Sequence, residues 1–207
     1  MPPVAIDQAN ATVYTDNARM LRKWVVSRTG PGTVTNMGVT FGVGTPGRGG
    51  VPMVFDTVRK RLVVIGNSRT TFAETNNFVS KFWNTSGGAI QPFTLRDSGD
   101  GSLAKVTGTI FESSLLYIPP FAGGGDYYLF YGRYSGIAFT TPIRPIKIDP
   151  VTGVTSFLTL AGTAPPDGNK GTENRFIYDP AFKCVYYVSY AGNSLTRDFS
   201  VYVFRLG

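Results

Sequence analysis

Short apolar runs alternate with polar segments along the whole chain, and no segment keeps the 3.6-residue spacing of an amphipathic helix. The apolar runs are rich in β-branched and aromatic residues, as in Arg61–Gly66, Asn77–Trp83 and Ser200–Leu206. Gly, Pro, Asn and Asp interrupt them at short intervals. Runs of this kind are typical of antiparallel strands joined by turns. The pattern therefore predicts an all-β fold.

Two of these segments repeat each other. Val54–Ile65 and Ile177–Val188 share an apolar pair, an Asp, a Lys and a second apolar run in the same order. Asp56 recurs as Asp179 and Lys60 as Lys183, so the offset is 123 in both cases (179 − 56 and 183 − 60). Internal repeats indicate a fold built from similar units.

The clearest unit spans 51–96. Four strands are predicted in it, and a tight turn at Thr57–Lys60 joins the first two: Val51–Asp56, Arg61–Gly66, Asn77–Trp83 and Ala89–Leu95. Four antiparallel strands in about 45–60 residues have the form of one blade of a β-propeller.

The other units are less complete. A unit at 18–40 is predicted to hold only a third and a fourth strand, and a unit at 174–207 to lack its fourth strand. The unit at 104–162 holds one strand too many, with an insertion expected near Gly123–Gly125 and a first hairpin at Thr109–Ile118. We therefore predict an antiparallel β-propeller-like fold of about three four-stranded units, incomplete at both ends, in one β-rich domain (1–207).

The hairpins around Asp56 and Asp179 resemble kelch-type propeller repeats, in which an Asp closes the turn before an aliphatic strand that ends in two glycines. The strand of the first hairpin ends in one glycine, Gly66, without a second glycine after it. In the second hairpin Ser189 occupies the position of Gly66. The resemblance covers roughly 51–207. It implies a propeller used for protein or glycan contact, of a kind that also occurs in bacteriophage tail and surface proteins.

Propellers usually close with four to eight blades, and unfinished blades leave strand edges that can pair with another chain. One hypothesis is that another subunit, or another protein of an assembly, supplies the missing strands. The alternative is that the two ends of the chain complete each other in a small closed β-fold.

The chain is basic, with a net charge of +7 and a pI of about 9.6. Its densest run of cations, Arg59–Arg61, lies in a predicted turn, and no nucleic-acid-binding signature surrounds it. The charge is interpreted either as a solvated surface or as a contact for a polyanion. We predict no nucleic-acid partner, and no segment is apolar enough to predict membrane insertion.

Candidate chemistry is sparse because the chain has no histidine and a single cysteine, Cys184. Ser-His-Asp triads and His-ligated or Cys-rich metal sites are thereby excluded. The copper oxidase activity within the kelch superfamily needs histidine and is not carried over. Asp97 and Asp100 are interpreted as turn residues, in preference to a carboxylate pair or a calcium loop. We predict no enzyme activity, no cofactor and no metal.

Two sets of residues remain as candidates. Asp56, Glu112 and Asp179 are predicted to cap hairpin turns. A cluster rich in tyrosine is a candidate recognition surface, or alternatively packs between blades: Tyr127, Tyr128, Tyr131, Arg133 and Tyr134. The loop Thr71–Asn77 is a second candidate surface.

These observations favour a non-enzymatic structural or interaction module of a multi-chain assembly, with other protein subunits as partners. A virion component, such as a phage tail or capsid-surface protein, is the more specific hypothesis. The alternative is a lectin-like propeller that binds a glycan during receptor attachment. The expected location is the virion if the protein is viral and the cytoplasm otherwise, since the first residues do not have the form of a secretory signal.

Overall fold

The computed structural model describes residues 3–17, 19–42, 51–68, 77–121, 124–134, 144–159, 176–191 and 198–206. The chain divides into two compact units, Met1–Leu95 and Arg96–Gly207. The described residues are all-β apart from one short helix, and they form small, mainly antiparallel sheets of the kind found in propeller blades.

The first unit begins with a four-stranded antiparallel sheet, here called the first sheet. Its strands follow one another in chain order: β1 (Val4–Asp7), β2 (Thr12–Asp16), β3 (Leu21–Val25) and β4 (Thr33–Asn36). The prediction that this blade lacks its first two strands was wrong. Both strands are short and carry Asp and Thr on their buried face, so the apolar pattern alone did not reveal them.

The second sheet, also in the first unit, agrees with the strands predicted for 51–96. It contains four antiparallel strands in chain order: β5 (Met53–Asp56), β6 (Arg61–Ser68), β7 (Asn77–Asn84) and β8 (Gln91–Pro92). Consecutive residues of β6, from Leu62 to Ile65, are fully buried. Because neighbouring residues of a strand point to opposite faces, both faces of this sheet are covered.

One apolar core joins the first and second sheets. Ala5, Tyr14 and Leu21 of the first sheet pack in it with Phe55 and Trp83 of the second sheet. The rings of Tyr14 and Phe55 stack with their centroids 6.0 Å apart. The first sheet therefore buries one face against the second.

The second unit begins with a short edge strand, β9 (Arg96–Asp97), and one helical turn and a half, α1 (Ser102–Thr107). The third sheet also contains β10 (Thr109–Ile118), β11 (Tyr127–Tyr134), β12 (Ile146–Ile148) and β13 (Val154–Phe157), in the spatial order β10-β11-β12-β13-β9. The β9–β13 pair is parallel. β9 lies outside the predicted unit 104–162, in which four strands are described, one fewer than predicted. Gly123 of the predicted insertion lies outside the described residues.

The hairpin predicted within Thr109–Ile118 is instead one strand. Its register with β11 shifts between Thr109 and Phe111 and again between Phe111 and Ser114. Such shifts mark β-bulges, which bend a strand without ending it. Glu112 consequently lies inside β10 and not at a hairpin turn, so its proposed role as a turn cap was wrong.

The fourth sheet contains β14 (Phe176–Asp179), β15 (Cys184–Ala191) and β16 (Asp198–Arg205). Among the described residues no fourth strand joins it, as the sequence analysis expected. The repeat extends to the register: Met53 pairs with Val64 in the second sheet, and Phe176 pairs with Tyr187 in the fourth. Both pairs are related by the offset of 123.

Aromatic side chains dominate the core between the third and fourth sheets. Phe176, Tyr187 and Phe204 of the fourth sheet pack with Tyr127 and Leu129 of the third. The rings of Phe176 and Tyr187 stack at 5.0 Å. The fourth sheet thus buries one face against the third.

Candidate interaction surfaces

The tyrosine-rich cluster predicted as a recognition surface lies in β11, and its first part is internal. Tyr127 and Tyr128 are buried. Tyr131 is half-buried, and its ring centroid lies 5.1 Å from that of Phe176 and 5.5 Å from that of Tyr187. Tyr127 and Tyr131 pack between the third and fourth sheets, whereas Tyr128 lies on the other face of β11, with its ring centroid 5.9 Å from that of Tyr117. Packing was the alternative interpretation of the cluster.

Other parts of the predicted surfaces lie outside the description. The side chains of Arg133 and Tyr134 are not described, although their backbones belong to β11. In the second candidate surface, Thr71–Asn77, only the backbone of Asn77 is described, as the first residue of β7.

The burial of Tyr127 affects its acidity. Desolvation, with a smaller contribution from nearby Tyr178, raises the pKa of Tyr127 to about 12. The ammonium of Lys147 lies 4.9 Å from the centroid of its ring. The phenol is therefore neutral over the physiological range and behaves as a core group.

Asp97 and Asp100 bind backbone amides in the turn before α1. Asp97 accepts hydrogen bonds from the N–H groups of Gly99, Gly101 and Leu103 at 2.7–3.2 Å. Asp100 accepts from Ser102 N–H at 3.0 Å and from Phe157 N–H at 2.7 Å. Desolvation raises the pKa of Asp100, but hydrogen bonds from Ser102, Phe157 and Ser98 together outweigh it and lower the pKa to about 2. Both carboxylates thus act as turn-forming groups.

Asp56 and Asp179 occupy the same position at the end of the first strand of their hairpins. Asp56 Oδ1 accepts from Val58 N–H at 3.1 Å and Arg59 N–H at 2.9 Å. Asp179 Oδ1 accepts from the corresponding amides of Ala181 and Phe182 at 2.9 and 3.2 Å. Asp56 also pairs through Oδ2 with Arg59 and Arg61.

Two further hairpins use the same turn, which the sequence analysis did not connect with the repeat. Asp7 ends β1 and accepts hydrogen bonds from Asn10, and Asp149 accepts the N–H groups of Val151 and Thr152. The residue four positions after each Asp has a positive φ: Ala11 (46°), Lys60 (50°), Gly153 (71°) and Lys183 (47°). A shared Asp–x–x–x–αL turn would have identified all four hairpins.

The exposed face of the first sheet carries an unbroken row of apolar side chains. Ile6 pairs with Val13, Val13 with Trp24, and Trp24 with Val34, one residue from each strand. We call these four residues the first apolar row. Ile6 is 57% exposed, Trp24 39% and Val34 49%. Trp24 Nε1–H donates to Thr15 Oγ1 at 3.1 Å, which orients the indole on this face.

The exposed face of the fourth sheet has a similar row. Ile177 pairs with Tyr186, and Tyr186 with Val203. Val188 and Val201 form a second cross-strand pair on the same face, and Val201 and Val203 are 60% and 52% exposed. We call these five residues the second apolar row. Interactions with Cys184, and to a lesser extent desolvation and Asp179, raise the pKa of Tyr186, so its hydroxyl stays neutral.

The sequence analysis did not identify these rows, because strand pairing decides which apolar residues become neighbours. Val4 and Ile6 alternate with Ala5 and Asp7, but the pattern does not say which face is covered. The apolar character of residues on both faces of β3 and β16 was the available signal.

Within the described residues, no group of three or more His, Cys, Asp or Glu side chains is placed to hold a metal ion. The one helix described, with six residues, is too short to span a membrane. Comparison with known proteins finds no protein-family model and no curated protein that matches this chain.

Proposed function

We propose that this chain is a non-enzymatic interaction module that contacts other protein subunits through the exposed apolar faces of its first and fourth sheets. The observation that carries the proposal is the first apolar row, a surface formed by neighbouring side chains from four strands. An antiparallel sheet with one face in water normally carries polar residues on that face. Here a row of Ile, Val and Trp crosses that face beside the polar residues Thr15, Arg22 and Asn36.

The size of this surface supports a contact. The exposed fractions leave on the order of 300 Å² of apolar surface on the first row, a size at which patches on monomers are often functional. A stable interface buries about 800 Å² per partner, so the row would form the centre of a larger interface. Trp24 is the natural anchor, since tryptophan is enriched among binding hot spots.

The interior carboxylates support a structural role. Asp16 is fully buried and accepts hydrogen bonds from Thr40 Oγ1 and Phe41 N–H. Asp56 is equally buried and is held by its turn amides and two arginines. Each carboxylate therefore stabilises the chain around it. The finer hypothesis of a virion component rests on the resemblance to kelch-type repeats.

Light scattering across a concentration series tests the proposal. We expect a discrete oligomer whose mass decreases on dilution, and we expect Trp24→Ser to shift dissociation to higher concentrations. Val58→Ser is the matched control, because Val58 is 54% exposed but lies in a turn outside both rows. A monomer at all concentrations, or an equal effect of both substitutions, would count against contact between copies through this row.

A carbohydrate-binding function is the second candidate, favoured by the half-exposed indole of Trp24. Thr15, Arg22 and Asn36 lie on the same face and supply hydrogen-bonding groups beside the ring. Aromatic faces next to polar groups suit amphipathic ligands. A saturable signal on a glycan array that is lost in Trp24→Ala would support this function, while an unchanged signal would reject this site.

A further inference from the structure

In the part of the chain that the structure describes, the outer edge of β16 is an open strand edge, and its sheet has one strand fewer than the second sheet. In the described residues, β16 pairs with β15 on one side and with no strand on the other. Its eight residues pair with β15 without a register shift. An open edge of this length is a template for addition of another strand.

The direction of the backbone groups can be derived from one hydrogen bond. Leu206 N–H donates to Lys183 C=O at 3.0 Å across the β15 side. In an antiparallel pair, alternate residues direct both backbone groups to the same neighbour. Phe204 and Tyr202 therefore face β15, whereas Val201, Val203 and Arg205 direct their N–H and C=O groups to the open edge.

The second sheet shows how such an edge is completed. Ile65 of β6 and Val188 of β15 are equivalent residues of the repeat, since 188 − 65 is again 123. Ile65 pairs with Ser80, and Val188 pairs with Val201, so Ser80 and Val201 occupy equivalent positions. The carbonyl of Ser80 accepts the N–H of Phe93 at 2.9 Å, beside β8. Val201 thus occupies the position at which a fourth strand is held in the repeated sheet.

The edge strands β4, β8 and β9 of the other sheets are poorly suited to pairing with an added strand. β8 has two residues, one of them Pro92, and β9 also has two residues. β4 has four residues. Short strands and proline are common devices that prevent edge pairing. β16 has neither, and it contains no Lys or Gly.

We propose that β16 pairs antiparallel with β16 of a second copy of this chain, joining two three-stranded sheets into one of six strands. This inference rests on the proposed function and identifies one of its interfaces. A twofold axis beside Tyr202 places Val201 opposite Val203 of the other copy, and Val203 opposite Val201. The second apolar row then continues across both copies.

Charge favours this orientation. β16 begins with Asp198 and ends with Arg205. In-register parallel pairing would place Asp198 beside Asp198 and Arg205 beside Arg205 of the other copy, whereas antiparallel pairing keeps these like charges at opposite ends of the strand pair. Like charges directly opposite each other destabilise a strand pair.

The test compares backbone and side-chain changes at one residue of the full chain. Val203→Pro removes an outward N–H without removing a β15–β16 hydrogen bond, so it should block the edge while keeping an apolar side chain. Val203→Thr keeps the N–H and the β-branched shape. In a Trp24→Ser background, which weakens contact through the first apolar row, we expect a dimer by light scattering, a monomer when Val203→Pro is added, and a dimer weakened no more than about tenfold in Kd when Val203→Thr is added.

If Val203→Pro fails to unfold cooperatively, the double variant Val201→Lys/Val203→Lys replaces it, since it adds like charges across the axis and should also be monomeric. A dimer that survives either well-folded variant overturns the inference. If the wild type forms an oligomer but Trp24→Ser alone is a monomer, the proposed function stands and β16 is not the interface. A wild-type monomer at about 0.1 mM rejects self-pairing through β16, whereas the proposed function fails only if the first apolar row also has no partner.

Discussion

The two turn aspartates of the repeat make it possible to measure separately how much a buried ion pair and a hydrogen-bonded turn contribute to the free energy of unfolding. Asp56 and Asp179 make equivalent hydrogen bonds to two turn amides. Only Asp56 is fully buried, and its Oδ2 lies 3.1 Å from Arg59 Nη1 and 3.4 Å from Arg61 Nε. For Asp179 the described part of the chain shows no ion pair. Substitution of each by alanine therefore removes the same turn but different electrostatics.

The expected loss of stability differs accordingly. Two hydrogen bonds to exposed turn amides contribute about 1–2 kcal/mol, since water can replace them. Breaking a buried ion pair costs about 3–5 kcal/mol, and the partial exposure of Arg59 favours the lower end. We expect Asp179→Ala to lower the free energy of unfolding by about 1–2 kcal/mol. Asp56→Ala should lower it by about 4–5 kcal/mol, because about 3 kcal/mol for the ion pair adds to the same turn contribution.

Urea unfolding followed by far-UV circular dichroism measures both variants, and the fluorescence of buried Trp83 reports on the first unit separately. Asp56→Asn is the third variant, because its amide oxygen can still accept the turn amides while the charge is lost. It should lie between wild type and Asp56→Ala. Equal losses for Asp56→Ala and Asp179→Ala, or an Asp56→Asn variant as stable as wild type, would refute the argument.

Three further predictions concern single residues of the second unit. The pKa of Asp100 is about 2 in the folded chain and lies below its unfolded value. The ionised Asp100 should therefore stabilise the folded state fully above about pH 4, and this contribution should be lost as the pH falls towards 2. Asp100→Asn should flatten that part of a curve of unfolding free energy against pH. The pKa of Tyr127 is raised to about 12, so the free energy of unfolding should fall as pH rises from about 10, less steeply in Tyr127→Phe. The tyrosinate absorbance of the folded chain should include a phenol that titrates near pH 12 and is absent in Tyr127→Phe. Gly153→Ala should lower the urea midpoint by an amount equivalent to about 1 kcal/mol, because φ is +71° there, and an unchanged midpoint would contradict the turn assignment.

The strands that the sequence predicted most clearly are those with long apolar runs. β6 and β15 each have eight residues, and the Asp before each turn fixes the start of the hairpin. β1 and β2 were missed because buried Asp7 and Asp16 interrupt the apolar pattern. Hydrogen bonds that span up to 25 residues, such as that from Phe41 N–H to Asp16, make their burial possible.

The bulged strand β10 shows a different limit of sequence analysis. Glu112–Ser114 is a polar triplet between two apolar runs, a pattern that also describes a hairpin turn. In the structure Ser113 and Ser114 are buried within the strand. Pairing with β11 decides between the two conformations, and that pairing depends on residues more than ten positions away. Local pattern could not supply it.

The apolar rows lie on the two sheets that have only one face covered. In the second sheet Leu62 and Val63 are both fully buried, and in the third sheet so are Tyr128 and Phe130, with Leu129 between them almost as well covered. Both faces of these two sheets are therefore covered. In the first and fourth sheets the second face also carries a row of apolar side chains, yet Ile6 and Val201 remain more than half exposed. Burial of such side chains is worth about 25 cal/mol per Å². A binding partner that covered these faces would gain that free energy, and this is the physical basis on which we assign the contacts to the first and fourth sheets.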